Sequence, residues 1–140
     1  MKHLTRMMYV SRVSGGVGDD ELKQILESSR RKNKTLNVTG VLCGGGGHFI
    51  QVLEGEQDDL FRLYGEILND RRHYDSVLIG VASIKQRLFG GWSMGYLSNP
   101  PEMMEVRRKE LIAAWEGRLE GSELLRLMKR FLEQLGQGSL

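Results

Sequence analysis

The stretch Asn37–Gly55, N-V-T-G-V-L-C-G-G-G-G-H-F-I-Q-V-L-E-G, constrains this chain more than any other. Two runs of strand formers, Val38–Cys43 and His48–Leu53, flank four consecutive glycines. Glycine accepts the positive φ angles of a tight turn, so the pattern predicts an antiparallel hairpin. Side chains alternate across a strand. Phe49, Gln51 and Leu53 therefore share one face, and His48, Ile50 and Val52 the other. This sets the Gln51 amide among apolar neighbours, where an unpaired polar group costs about 1–3 kcal/mol. Its plain explanation is a bond to loop backbone or an exposed strand end.

The chain, 140 residues long, has room for one domain with its own core. Its net charge of +2, with acids and bases intermixed, does not select a polyanionic partner; nucleic-acid binders gather basic residues on one face or arm. A single cysteine, Cys43, excludes an intrachain disulfide and cannot build a cysteine zinc site alone. Within a strand it packs as a small apolar residue. No apolar run approaches bilayer length and no signal-peptide core opens the chain, so a soluble, cytoplasmic protein is expected.

Leu4–Ser11 predicts a first strand with Met7, Tyr9 and Ser11 on one face and Leu4, Met8 and Val10 on the other. Two apolar faces describe a central strand, with Arg6 as a charged exception near an edge. The Ser14–Gly18 loop lacks the Lys-Ser/Thr ending of a phosphate-binding loop and reads as a connection. Asp19 or Asp20 would cap the next helix, which carries Leu22, Ile25 and Leu26 at helical spacing. Arg30, Arg31 and Lys32 complement its negative end, and Asn33 reads as its stop.

Beyond the hairpin, Glu56–Asp70 predicts a second helix with Leu60, Leu63, Tyr64, Ile67 and Leu68 along one stripe and acids at its start. In the polar exit Asp70-Arg71-Arg72-His73, His73 lacks a second metal ligand nearby and reads as a solvated loop residue. Ser76–Ile84 is an apolar strand, and Trp92–Leu97 a short fifth strand with Trp92, Met94 and Tyr96 on one face.

The order β-α-β-β-α-β-β predicts an α+β fold, a ferredoxin-like sheet with both helices on one face. The first and third strands are expected as parallel neighbours at its centre, which brings Tyr9 and Gln51 together beneath the helices. The other face presents Met8, Val10, Ile50 and Val52 and needs a cover. After Asn99-Pro100-Pro101, two helical stretches, Glu102–Arg118 and Ser122–Leu135, can supply it, with Gly136–Leu140 frayed. The division is a domain over residues 1–98 and a C-terminal helical pair over 99–140, packed on the sheet or on another subunit.

Taken together, L-T-R-M-M-Y-V-S, the helix carrying Asn33, N-V-T-G-V-L-C with H-F-I-Q-V-L-E-G, the exit D-R-R-H and F-G-G-W-S-M-G resemble the BLUF domain, a flavin-binding blue-light sensor. The likeness covers about the first two-thirds of the chain, and the short helical tail is similar to that of stand-alone, PixD-like members. It implies FAD held between the two helices, with no turnover chemistry. By that resemblance Tyr9 is the tyrosine that gives an electron and proton to the excited flavin, and Gln51 the glutamine linking it to the ring. Asn33 matches the asparagine at the polar edge of the ring, and Lys32 a position often filled by asparagine or arginine. Ile25, Phe49 and Ile67 match apolar walls, while Asp70, Arg72 and His73 lie near the sugar–phosphate mouth. Trp92 and Met94 match the segment that relays the signal.

The resemblance further implies a downstream signalling protein, either response-regulator-like or a transcriptional regulator, and a homo-oligomer, with no direct contact to nucleic acid or membrane. The same fold also hosts acyl- and phosphoryl-transfer enzymes, for which Asn33 and nearby arginines would be the working groups, and light-blind interaction modules assembled through their tail helices.

Overall fold

The computed structural model describes residues 3–15, 18–87, 89–98 and 101–116. Its elements run β1 (Leu4–Val13), α1 (Asp19–Leu36), β2 (Thr39–Gly45), β3 (His48–Glu56), α2 (Gln57–Leu68), β4 (His73–Ser83), β5 (Gly95–Ser98) and α3 (Pro101–Glu116). The hairpin forms as its glycines require. Gly46 and Gly47 make the turn at φ 59° and 79°, and Gly44 and Gly45 belong to β2. Gly40 permits close approach at the other end of β2, where a Cβ would stand 2.1 Å from the Val52 carbonyl oxygen.

The sheet has five strands in the order β4-β1-β3-β2-β5, the ferredoxin-like α+β arrangement. β1 and β3 are central neighbours, as expected, but they are antiparallel. The reason is the path of the chain: α1 returns it so that β2 runs with β1, and the tight hairpin then reverses β3. β5 is parallel to β2 at the sheet edge.

Alternation along the strands sorts the core into two layers. Met7, Tyr9, Leu42, Phe49 and Leu53 meet α1 and α2 on the front. Met8, Val10, Val41, Ile50 and Val52 line the back, where Met104 of α3 is fully buried among them. Cys43 belongs to this back layer at 1% exposure, and burial pushes its thiol pKa up. The expected helix Ser122–Leu135 and the end 136–140 lie outside the described residues.

Several local expectations are corrected. The N-cap of α1 is Gly18, whose N–H donates to Glu21 Oε2 at 2.9 Å; Asp19 and Asp20 fall in the first turn. Asn33 does not stop α1, which continues to Leu36 and ends on Asn37 in the left-handed region at φ 55°. Arg30, Arg31 and Lys32 therefore lie within the helix, and Lys34 alone is the basic residue of its last turn. Arg6 is 7% exposed rather than at a solvated edge, and it pairs with the fully buried Glu54 at 2.8 Å. The fifth strand begins only at Gly95, so strand alternation does not govern Trp92: it packs with Phe89 against the back layer, whereas Met94 and Tyr96 belong to the front.

Candidate functional site

The first two helices stand apart over the front of the sheet and leave a cleft. Its larger hollow, about 290 Å³, has Gln51 and Leu53 on its floor, Ser29, Lys32 and Asn33 from α1, and Leu63, Glu66 and Ile67 from α2. A smaller one, about 60 Å³, reaches Tyr9, Ile25, Leu42, Phe49 and His73. The two share Ser29, Gln51, Ile67, Asp70 and Arg72. The larger volume is near the lower bound of ordinary small-molecule pockets, roughly 300–1,000 Å³.

At the floor, the antiparallel register sets Tyr9 directly opposite Gln51. The Tyr9 hydroxyl donates to Gln51 Oε1, and Gln51 Nε2 donates to Met94 Sδ at 3.3 Å. Both ends of the buried amide are thus engaged by side chains, which removes the loop-backbone explanation. Tyr9 is 4% exposed, and its pKa is raised, first by burial and then by the neighbouring Tyr64 and Asp70. It therefore stays a neutral donor at physiological pH. Its ring lies 5.2 Å from that of Tyr64 and 6.2 Å from that of His73.

Asn33, 1% exposed, faces the floor from α1 and donates through Nδ2 to the Ser93 carbonyl at 2.7 Å. A turn earlier, Arg30 Nε donates to the Met94 carbonyl at 2.9 Å. These bonds hold the segment before β5 against the helix. Lys32 pairs with Glu66 across the top of the cleft, tying α1 to α2.

The mouth is polar. Arg72 Nε donates to both carboxylate oxygens of Asp70, at 2.9 and 3.0 Å. The Arg72 bonds hold the Asp70 carboxyl below its usual range, against the opposing effect of burial, and Asp70 in turn raises Arg72. His73 is half-buried, with Nε2 2.6 Å from the Ile67 carbonyl oxygen, and is no solvated loop residue.

Apart from Trp92 and Met94, every residue named above for the flavin site lines one of these two hollows. Met94 joins through Gln51; Trp92 lies with the opposite layer. Ser29 and Glu66 also line the cleft, and Ser93 anchors Asn33. None was picked out from the sequence, because small or charged surface residues carry no spacing signal. Arg6 and Glu54 were missed too, although alternation puts both on the apolar back face, where opposite charges must find each other.

A flat aromatic ring system with one polar edge suits this set. Ile25, Leu53, Leu63 and Ile67 offer apolar walls, the Asn33 and Gln51 amides offer polar contacts, and Arg72 offers positive charge at the entrance. Among the described residues no group of His, Cys, Asp and Glu could hold a metal ion, and no helix is long and apolar enough to cross a membrane.

Residues 4–95 match the family model described as BLUF, sensors of blue-light using FAD. The subunit beta of photoactivated adenylate cyclase from Euglena longa is 35% identical over 86 residues, covering 61% of this chain and 10% of that protein. The blue light- and temperature-regulated antirepressor BluF of Escherichia coli is 31% identical over 87 residues, covering 62% of this chain and 22% of that protein. The chain thus spans about a tenth of the length of the cyclase subunit. Among solved structures, BlsA in its photo-activated state superimposes with a TM-score of 0.76 at 28% identity, covering 97% of this chain and 96% of that one. BlrB, a BLUF protein in its dark state, gives 0.73 at 28% identity, covering 94% and 96%. The chain belongs to the BLUF family, the blue-light sensors whose cofactor is FAD.

Proposed function

We propose that this chain is a light switch without turnover, in which Tyr9 and Gln51 carry the photochemistry and Trp92–Met94 carries the result outward. The observation that supports it most directly is the run of bonds from Tyr9 Oη through the Gln51 amide to Met94 Sδ. Bound FAD supplies blue absorption and an excited state that takes an electron. Ile25, Phe49 and Ile67 would wall the ring, Asn33 and Lys32 would meet its polar edge, and Asp70, Arg72 and His73 would form the sugar–phosphate mouth.

Tyrosine is oxidisable, and burial keeps the Tyr9 proton in place in the dark. The electron Tyr9 gives would pass to the excited flavin, and the Tyr9 Oη proton, made far more acidic, would follow to the same acceptor by way of the bond to Gln51 Oε1. An amide carries its acceptor and donor on one carbon. Gln51 therefore cannot change its role at Oε1, by rotation or by tautomeric shift, without changing what Nε2 offers Met94. Nothing is released: the output is a rearranged hydrogen-bond network that biases a two-state element.

The cyclase and antirepressor among the relatives support an output delivered to another protein or domain. We infer a separate cytoplasmic signalling partner, response-regulator-like or a transcriptional regulator, reached from a homo-oligomer. Residues 1–98 would be the sensing domain and 99–140 its helical extension. A light-minus-dark absorption spectrum of the purified protein tests the reading. A yellow protein with a reversible red shift is expected; a colourless one that takes up no flavin on reconstitution overturns it.

A further inference from the structure

Behind the cleft, the same strand that carries Gln51 holds a second polar cluster. Glu54 is fully buried on the back face of β3, directly opposite Arg6 on β1. Arg6 Nε and Nη2 reach Glu54 Oε2 at 2.9 and 2.8 Å. The other oxygen, Oε1, accepts the Phe89 backbone N–H at 2.7 Å. A carboxylate bonded to a backbone N–H is a charge-assisted acceptor, stronger than a neutral one. Phe89 in turn accepts from the Trp92 N–H at 3.0 Å through its carbonyl, and the two rings lie 5.4 Å apart on the back layer. The Trp92 carbonyl accepts from the Gly40 N–H at 2.9 Å.

The segment Phe89–Met94 is therefore held at two ends. The front end, Ser93–Met94, is tied to Asn33, Arg30 and Gln51, the group on which the light reaction acts. The back end, Phe89, is tied to Glu54, whose partner Arg6 is itself buried and out of reach of that reaction.

We propose that Glu54, held by Arg6, is a positioning residue for the light response: it pins Phe89 as a fixed hinge, so that release at Met94 swings Trp92 rather than freeing the whole segment. This rests on the light-sensing reading above. A hinge retained in both states makes the return of Met94 to Gln51 a short intramolecular search, because one end never leaves its seat. Breaking only Glu54 would strand the Arg6 charge, whereas replacing both members by apolar residues of similar size leaves no buried charge unpaired.

The test is dark recovery of the flavin-loaded protein in Arg6→Met combined with Glu54→Leu, which removes the ion pair and the acceptor for Phe89. Recovery is expected to slow by about fivefold, equivalent to about 1 kcal/mol, with the amplitude of the red shift unchanged. Arg6→Met combined with Glu54→Gln restores a neutral acceptor and should return the rate towards that of the unaltered protein. Hydrogen exchange on the unaltered protein stands independently of how the variants fold. On illumination the Gly40 N–H should exchange faster while the Phe89 N–H stays protected. An unchanged recovery rate in the folded Leu variant, or Phe89 deprotected together with Gly40, overturns the hinge alone. Absence of any red shift in the unaltered protein overturns the light-sensing reading, and the hinge with it.

Discussion

Gln51 and Met94 touch through the amide nitrogen and the sulfur, at 3.3 Å, and this contact links the strand at the centre of the sheet to the segment leading into its edge. A thioether is a weak acceptor. Such a contact is easily surrendered when a better partner is offered, which suits the resettable switch proposed above.

Tyr9→Phe and Gln51→Ala should each retain flavin but lose the normal red-shifted state, because each breaks the bond from Tyr9 Oη to Gln51 Oε1. Gln51→Ala also strands the buried phenol and should lower stability by about 1–3 kcal/mol. Light-minus-dark spectra and urea unfolding read the two effects, and an intact photocycle in either variant would refute the assigned roles.

Asn33→Ala removes the bond to the Ser93 carbonyl and one polar contact at the cleft. FAD should bind about tenfold more weakly, the equivalent of ~1.4 kcal/mol. Titration followed by quenching of flavin fluorescence measures the loss. Affinity equal to that of the unaltered protein would show that this amide serves the fold alone.

Asp70 gives a pH dependence with a definite sign. Arg72 holds its folded pKa below the unfolded value of about 3.9. The stabilisation is present above that value and is lost as pH falls through the lower, folded pKa. Melting temperatures of the unaltered protein and Asp70→Asn, followed from pH 5 downward, should therefore converge as the pH falls below the ordinary carboxylate range of about 4. A gap that stays constant would rule out the ion pair as its source.

Gly40→Ala tests the backbone contact that lets β2 and β3 approach. The new methyl would meet the Val52 carbonyl oxygen at 2.1 Å, so the strands must separate. A loss of about 1–3 kcal/mol is expected, the usual cost of overpacking. Equilibrium unfolding with stability unchanged would mean that the hairpin yields there at no cost.

Strand alternation made most of the sheet legible. The faces of Met7, Met8, Tyr9 and Val10, and of Phe49 to Leu53, follow from period two alone. The pairing of Tyr9 with Gln51 also followed from the order of elements, although the relative direction of their strands did not, since it depends on following the chain through α1 and the hairpin. Asn33 misled because asparagine so often ends helices, while here the left-handed residue is Asn37, four positions later. Trp92 misled for another reason: W-S-M has strand composition, but backbone bonds to Phe89 and Gly40 keep Trp92 outside the strand. Glu54 was hidden by distance, its partner lying 48 residues away in the chain.

Cys43 offers a use outside light sensing. At 1% exposure, with burial disfavouring the thiolate, it is shielded from alkylating reagents while the sheet is closed. It is also the sole thiol of the chain. Maleimide would therefore label only those molecules whose back layer, closed by Met104 of α3, has opened, and the rate of labelling becomes a built-in stopwatch for spontaneous opening, in light or in darkness.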